Sequence, residues 1–291
     1  MATVSSPRPT VVPGARRAGL GGWPATLVHA AAGLALVGAA LGLVLEGVYT
    51  GPRSTAEILR GDDLVTALVV VPALVVATGR ARRGSTPAHA VVAGLLADLV
   101  YTYAFYVFGT GFNDLFLLHV ATFSTSLAAL LLVVVGLDVD ALRERLRPWR
   151  HARAVAVALG VLAVSLGGMW VAGAVANAVD GTVPVGSRLV EEPSVIHLAL
   201  VLDLGVQVPL YAAASVLVWR HTGWGCVLAV VALVSGVPEQ LSYLVGMPMQ
   251  VAAGVPGAVS SDALEPVILA FYVVGLVLLV LGSGRVNRPT G

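Results

Sequence analysis

Residues 64–108 read LVTALVVVPALVVATGRARRGSTPAHAVVAGLLADLVYTYAFYVF. Two apolar runs, 64–80 and 88–108, flank a short gap that holds Arg80, Arg82 and Arg83. Each run falls within the roughly 17–25 residues that an α-helix needs to cross the hydrocarbon of a bilayer. Thr86-Pro87 supplies a helix start, an N-cap followed by proline at the first helical position, where its missing N–H leaves no bond unmade. The stretch therefore predicts two spanning helices joined by a tight, positively charged turn.

The same punctuation recurs along the chain. Further apolar runs cover 26–48, 114–137, 154–178, 195–219, 223–245 and 264–283, which gives eight spans in an all-α polytopic bundle. Composition agrees, with 57% hydrophobic and 11% charged residues. A soluble domain carries roughly 25% charged residues, so most of this chain faces lipid. Asn113 or Asp114 offers a cap for the fourth span, Pro193-Ser194 opens the sixth, and Asp262 with Glu265 resembles a capping box at the eighth. Gly38 and Gly42 form a GxxxG pair, which allows close approach to the first helix.

Arginines fall in alternate gaps. Arg8, Arg16 and Arg17 precede the first span, Arg80, Arg82 and Arg83 follow the second, and Arg143, Arg145, Arg147, Arg150 and Arg153 follow the fourth. Arg220 follows the sixth, and Arg285 and Arg288 follow the eighth. Only Arg53, Arg60 and Arg188 lie in the other gaps. The positive-inside rule then places both termini in the cytoplasm, with 1–25 and 285–291 as tails, 1–25 read as disordered, around a transmembrane domain over 26–284. The acids Glu57, Asp62, Asp63, Asp114, Asp180, Glu191, Glu192, Asp262 and Glu265 all fall in or beside the opposite, outer gaps. That predicts an outer face of negative potential, or simply wet, capped loops.

Several function classes drop out. A net charge of +1 gives no footprint for nucleic acid. One cysteine, Cys226, excludes an intrachain disulfide, and the absence of lysine excludes Schiff-base chemistry. Arg16-Arg17 ahead of an apolar run resembles a twin-arginine signal, but seven further spans follow. No phosphate loop, nucleophile elbow or kinase set is present, and no cofactor is called for. Met247-Pro248-Met249, read as an outer loop, and the basic stretch around Trp149 are explained equally well by packing and topology. Trp23, Trp149, Trp170, Trp219 and Trp224 are expected in an interfacial belt.

A constant offset of 137 residues relates Pro72 to Pro209, Arg83 to Arg220, Tyr106 to Tyr243 and Gly109 to Gly246. It suggests a parallel 4+4 repeat with halves 26–137 and 154–284. Polar stripes at helical spacing fit the same offset: Asp98, Thr102 and Tyr106 in the third span, and Ser235, Glu239 and Tyr243 in the seventh. The sixth span carries Asp203, Gln207 and Tyr211, and the fourth carries His119, Thr122 and Ser126. An ionisable group in hydrocarbon costs at least roughly 2.5–3.5 kcal/mol on insertion scales, so each needs a role.

Three readings follow. Asp98, Tyr106, His119, Asp203, Gln207, Glu239 and Tyr243 line an outward pocket for a small solute or cation. Alternatively His119, His197, Asp203 and Glu239 hold a metal for hydrolysis, although no HxxxH or HExxH spacing occurs. Or the groups are hydrogen-bonded glue between helices in a non-catalytic subunit or scaffold.

The stretches 101–109 and 112–119, together with 203–209, Trp219-Arg220 and Trp224-Gly225, resemble uncharacterised multi-pass membrane proteins of actinobacteria. That group has no established activity, so the resemblance implies a plasma-membrane location in a high-GC Gram-positive bacterium and no chemistry. The layout of two parallel four-helix halves is also that of haem A synthase. This chain lacks that family's Glu-x-x-His-Arg motif and has no histidine in its eighth span.

Overall fold

Lipid offers no partners for backbone N–H and C=O groups, so a chain this apolar must close its hydrogen bonds within helices. The computed structural model describes residues 19–147, 149–184 and 189–282. Among the described residues there are nine helices and no strand. Eight are long and apolar enough to cross a membrane: α1 (Gly22–Val44), α2 (Arg53–Arg82), α3 (Thr86–Gly109), α4 (Phe116–Val135), α6 (Ala152–Asp180), α7 (Pro193–Trp219), α8 (Gly223–Ala252) and α9 (Leu264–Gly282). The short α5 (Val139–Leu146) joins α4 to α6. Asp138 caps it by accepting from the N–H of Ala141 at 2.9 Å, and Arg143 and Arg145 sit in its last turn, where the helix dipole favours cations. The tail arginines and Arg188 lie outside the described residues.

The exposed valines and leucines, such as Val135, Val164, Val280 and Leu281, form a lipid-facing exterior. The interior is built on α8. It packs against α2, α3, α7 and α9, and it is the most buried of the spans. Gly61 and Gly246 let α2 and α8 touch, since a β-carbon on Gly61 would meet the Gly246 backbone at 3.1 Å.

Two spans are longer than the apolar runs predict. α2 begins at Arg53 rather than at 64, so Asp62 and Asp63 lie inside a spanning helix instead of in a loop. Its first turns are amphipathic, and they turn Thr55, Leu59 and Asp63 inward. α8 runs on to Ala252 through Pro238 and Pro248, which puts Met247-Pro248-Met249 in a helix, with Met247 fully buried. α1 starts at Gly22, four residues before the expected boundary. The cap of α3 is Ser85, one residue earlier than expected. Trp23, Trp219 and Trp224 are exposed as a belt requires, but Trp170 is 3% exposed and points into the bundle.

The 137-residue offset reappears in backbone geometry. A π-helical turn occupies Thr66–Val70 in α2 and Asp203–Gln207 in α7, and each is followed two residues later by proline, Pro72 and Pro209. The wider turn fits a residue that lacks an N–H and whose ring crowds the preceding carbonyl. At the next turn, Gly84 and His221 both have positive φ, at 85° and 54°. The N–H of Gly84 bonds Ala81 O and that of Ser85 bonds Arg80 O; His221 bonds Val218 O and Thr222 bonds Leu217 O in the same register. Ser85 and Thr222 then cap α3 and α8 through the N–H groups of Ala88 and Gly225.

Candidate functional site

The sequence-predicted residues divide into two places. Asp203, Gln207, Glu239 and Tyr243 line one cavity of about 380 Å³ between α6, α7, α8 and α9. Tyr106 and His119 lie in a separate, closed cluster. Asp98, 3% exposed on α3, lines neither, though it sits close enough to Glu239 and Asp62 to feel their charges.

The cavity is assembled from i, i+4 stripes that face one another. Asp203 on α7 accepts from Tyr101 Oη of α3 and from Trp170 Nε1 of α6, both at 2.7 Å. One turn on, Gln207 Nε2 donates to Glu239 Oε1 of α8 at 2.6 Å. A further turn on, the Tyr211 hydroxyl donates to Gln207 Oε1 and meets the Tyr272 hydroxyl of α9 at 2.9 Å. Gln240 Nε2 donates to a Glu265 carboxylate oxygen, so Glu265 turns into the cavity and not back to close a capping box. Asp262 serves the start of α9, accepting from the N–H of Leu264 at 2.8 Å.

A second pocket of about 50 Å³ adjoins the first and shares Glu191, Glu239 and Tyr243 with it. It adds Asp62 and Thr55 from α2. Thr55 is 5% exposed, and its hydroxyl has no hydrogen-bond partner. Five carboxylates, of Asp62, Glu191, Asp203, Glu239 and Glu265, thus line two adjoining pockets, and among the described residues no arginine or histidine lines either. Both pockets lie toward the end of the bundle opposite the arginine-rich turns, because Glu191 and Glu265 stand at the start of α7 and α9 there.

Glu191 sits in the loop before α7. Burial, then the nearby charges of Asp203, Asp62 and Glu265, push its carboxyl up to about 7. The loop itself is pinned: Gln250 donates to Val190 O and Ser54 O and accepts from the N–H of Val190.

Tyr272 reaches Tyr211 only because α8 has no side chain at Gly236. A β-carbon there would overlap the Tyr272 ring. Gly236→Ala is expected to displace that ring, break the Tyr211–Tyr272 bond and cost about 1–3 kcal/mol, as overpacking does; thermal unfolding in detergent measures it.

The other cluster is buried and aromatic. Asp63, 1% exposed, accepts from Tyr49 Oη at 2.5 Å and from Tyr106 Oη at 2.9 Å. His119 lies against the rings of Tyr106, Tyr103 and Tyr49, with centroids 4.6, 5.9 and 6.2 Å away, and neither of its nitrogens has a partner. Gly38 and Gly42 face this cluster: a β-carbon on Gly42 would overlap Asp63 and Tyr49, and one on Gly38 would meet the Tyr103 hydroxyl at 3.2 Å. The GxxxG pair makes room for side chains rather than for another helix. Among the described residues, no three histidine, cysteine or carboxylate groups gather as a metal site, and His119 lines neither acidic pocket. The constellation required by the metal-hydrolase reading is therefore not assembled.

Sequence reasoning found the α7 and α8 stripes but missed Asp62, Glu191, Glu265, Tyr101, Trp170 and Tyr272. Their types matched loop charges, caps and belt aromatics. Comparison of the chain with protein-family models, with curated proteins and with solved structures gives no match.

Proposed function

We propose that the chain is a multi-pass plasma-membrane protein that binds a small cation, and carries it inward, through a pocket open on the outer side. The observation that supports this reading most is the set of five carboxylates around one pair of adjoining pockets, with no basic group among the described residues of their lining. Carboxylates removed from water need protons or a cationic partner. The positive-inside rule, applied to the arginine-rich turns, puts the pocket end outside the cell. A negative cavity at that end concentrates cations and repels anions.

Tetraethylammonium tests the reading. Calorimetric binding to the purified protein at neutral pH, with chloride and sulfate salts giving the same affinity, supports it; no heat with any cation overturns it. Transport is tested by uptake of the same labelled ion into proteoliposomes.

Glu191 gives the binding a pH dependence. Its carboxyl is neutral below about 7 and ionised above it. In the free protein, ionisation among like charges lowers stability as pH rises through about 7, because the folded state holds that proton more tightly than the unfolded chain does. A bound cation reverses this loss and releases the proton. The expected result is tighter tetraethylammonium binding at pH 8 than at pH 6, with proton release visible as a buffer-dependent binding enthalpy. Glu191→Gln should flatten both.

A further inference from the structure

Beside the acidic cavity lies a larger, apolar space. A groove of about 750 Å³ runs between α6 and α9, lined by Val157, Val161, Ala270, Phe271 and Val274 among others. It extends toward the arginine-rich end, where Arg153 and Trp219 close it. Val161, Val267 and Phe271 are walls of both the groove and the acidic cavity. The two spaces adjoin across these three side chains, the first polar and aromatic, the second apolar along its length. On α9 the groove spans Pro266 to Leu278, roughly 18 Å of helix at a rise of about 1.5 Å per residue.

We propose, resting on the cation site above, that the occupant is an alkylammonium amphiphile, its head in the acidic cavity and its chain in the α6–α9 groove. A bare metal ion would use the carboxylates and leave the aromatic wall without a purpose. An ammonium head uses both. Trp170, Tyr211 and Tyr272 line the same space as Asp203, Glu239 and Glu265, and an alkylated cation is attracted to aromatic rings as well as to carboxylates. Thr55, whose buried hydroxyl has no partner, lines the adjoining smaller pocket and supplies one more polar group for a substituted head. The chain needs no polar partner, and the groove offers none along α9 between Pro266 and Leu278. The carboxylates select the sign of the head, so an amphiphile with an anionic head is excluded by the same charges.

The test uses the full chain in nanodiscs of zwitterionic lipid, with tetramethylammonium, decyltrimethylammonium and decyl sulfate as probes. Decyltrimethylammonium should bind at least about tenfold more tightly than tetramethylammonium, since the chain adds buried apolar surface, and decyl sulfate should not bind. Ala270 is exposed in the groove, so Ala270→Phe fills it without disturbing the core. That variant should bring the long-chain probe down to the affinity of the short one and leave the short one unchanged. Equal binding of short and long probes overturns the amphiphile and leaves the cation site standing. A long-chain gain that survives Ala270→Phe is partition into the bilayer and also overturns it. Binding of decyl sulfate overturns the charge selection. No binding by any cation removes the cation site and this inference with it.

Discussion

Replacing Glu239 by glutamine is expected to weaken tetraethylammonium binding by about a hundredfold, while the protein unfolds within a few degrees of the parent. Glu239 belongs to both pockets and feels the charges of both Asp203 and Asp62. Removing one partner of a buried charge pair costs about 2–5 kcal/mol, and a hundredfold is about 2.7 kcal/mol. Glutamine keeps an oxygen to accept from Gln207 Nε2, so the α7–α8 contact persists. The separation of the two readouts is what matters. Affinity should fall while the unfolding midpoint stays, whereas glue between helices would lose its midpoint and have no cation affinity to lose. Titration calorimetry and thermal unfolding on the same sample decide between them.

Asp63→Leu is expected to show the opposite split, with a loss of about 2–4 kcal/mol of stability and little change in cation affinity for the fraction that folds. Tyr49 Oη would lose its acceptor in a closed space, and a buried hydroxyl without a partner costs about 1–3 kcal/mol. Tyr106 Oη would keep Leu59 O at 2.7 Å, which bounds the damage. Leucine also leaves a methyl-lined surface where a carboxylate lay against Gly42. Asp63→Asn retains one acceptor oxygen and should lose less. Gly42→Ala pushes on the same two groups from α1 and should lose about as much as Asp63→Leu. An Asp63→Leu protein as stable as the parent would mean that this cluster does not hold α1, α2 and α3 together.

Much of this was readable from residue order. Helix number and most helix ends follow from apolar length and turn chemistry, because lipid leaves the backbone no other choice. The meeting of Asp203, Gln207 and Glu239 was half legible: i, i+4 spacing puts each pair on one stripe, but not which stripes face. Glu191 was hidden because a loop acid has an innocent explanation, and Glu265 because a capping box explains it locally. Trp170 carries no mark that separates a belt tryptophan from one that donates to Asp203. The early start of α2 was hidden for the same reason. Asp62 and Asp63 look like loop charges until Tyr49, Tyr106 and the acidic pocket are placed around them, and Tyr49 and Tyr106 lie 14 and 43 residues from Asp63. Gly236 shows its use only when Tyr272 is in place.

The matched π-turns of α2 and α7, and the matched capped turns that follow them, have a practical consequence. At the 137-residue offset, Asp203 stands where Thr66 stands, Gln207 where Val70 stands, Tyr211 where Leu74 stands and Glu239 where Thr102 stands. Thr66, Val70 and Leu74 are as buried as their counterparts, and the π-turn around them has the same register. The chain therefore carries its own blank. The substitutions Asp203→Thr, Gln207→Val, Tyr211→Leu and Glu239→Thr write into the second half the side chains that the same scaffold already accommodates in the first, a neutralised copy whose template is the protein itself.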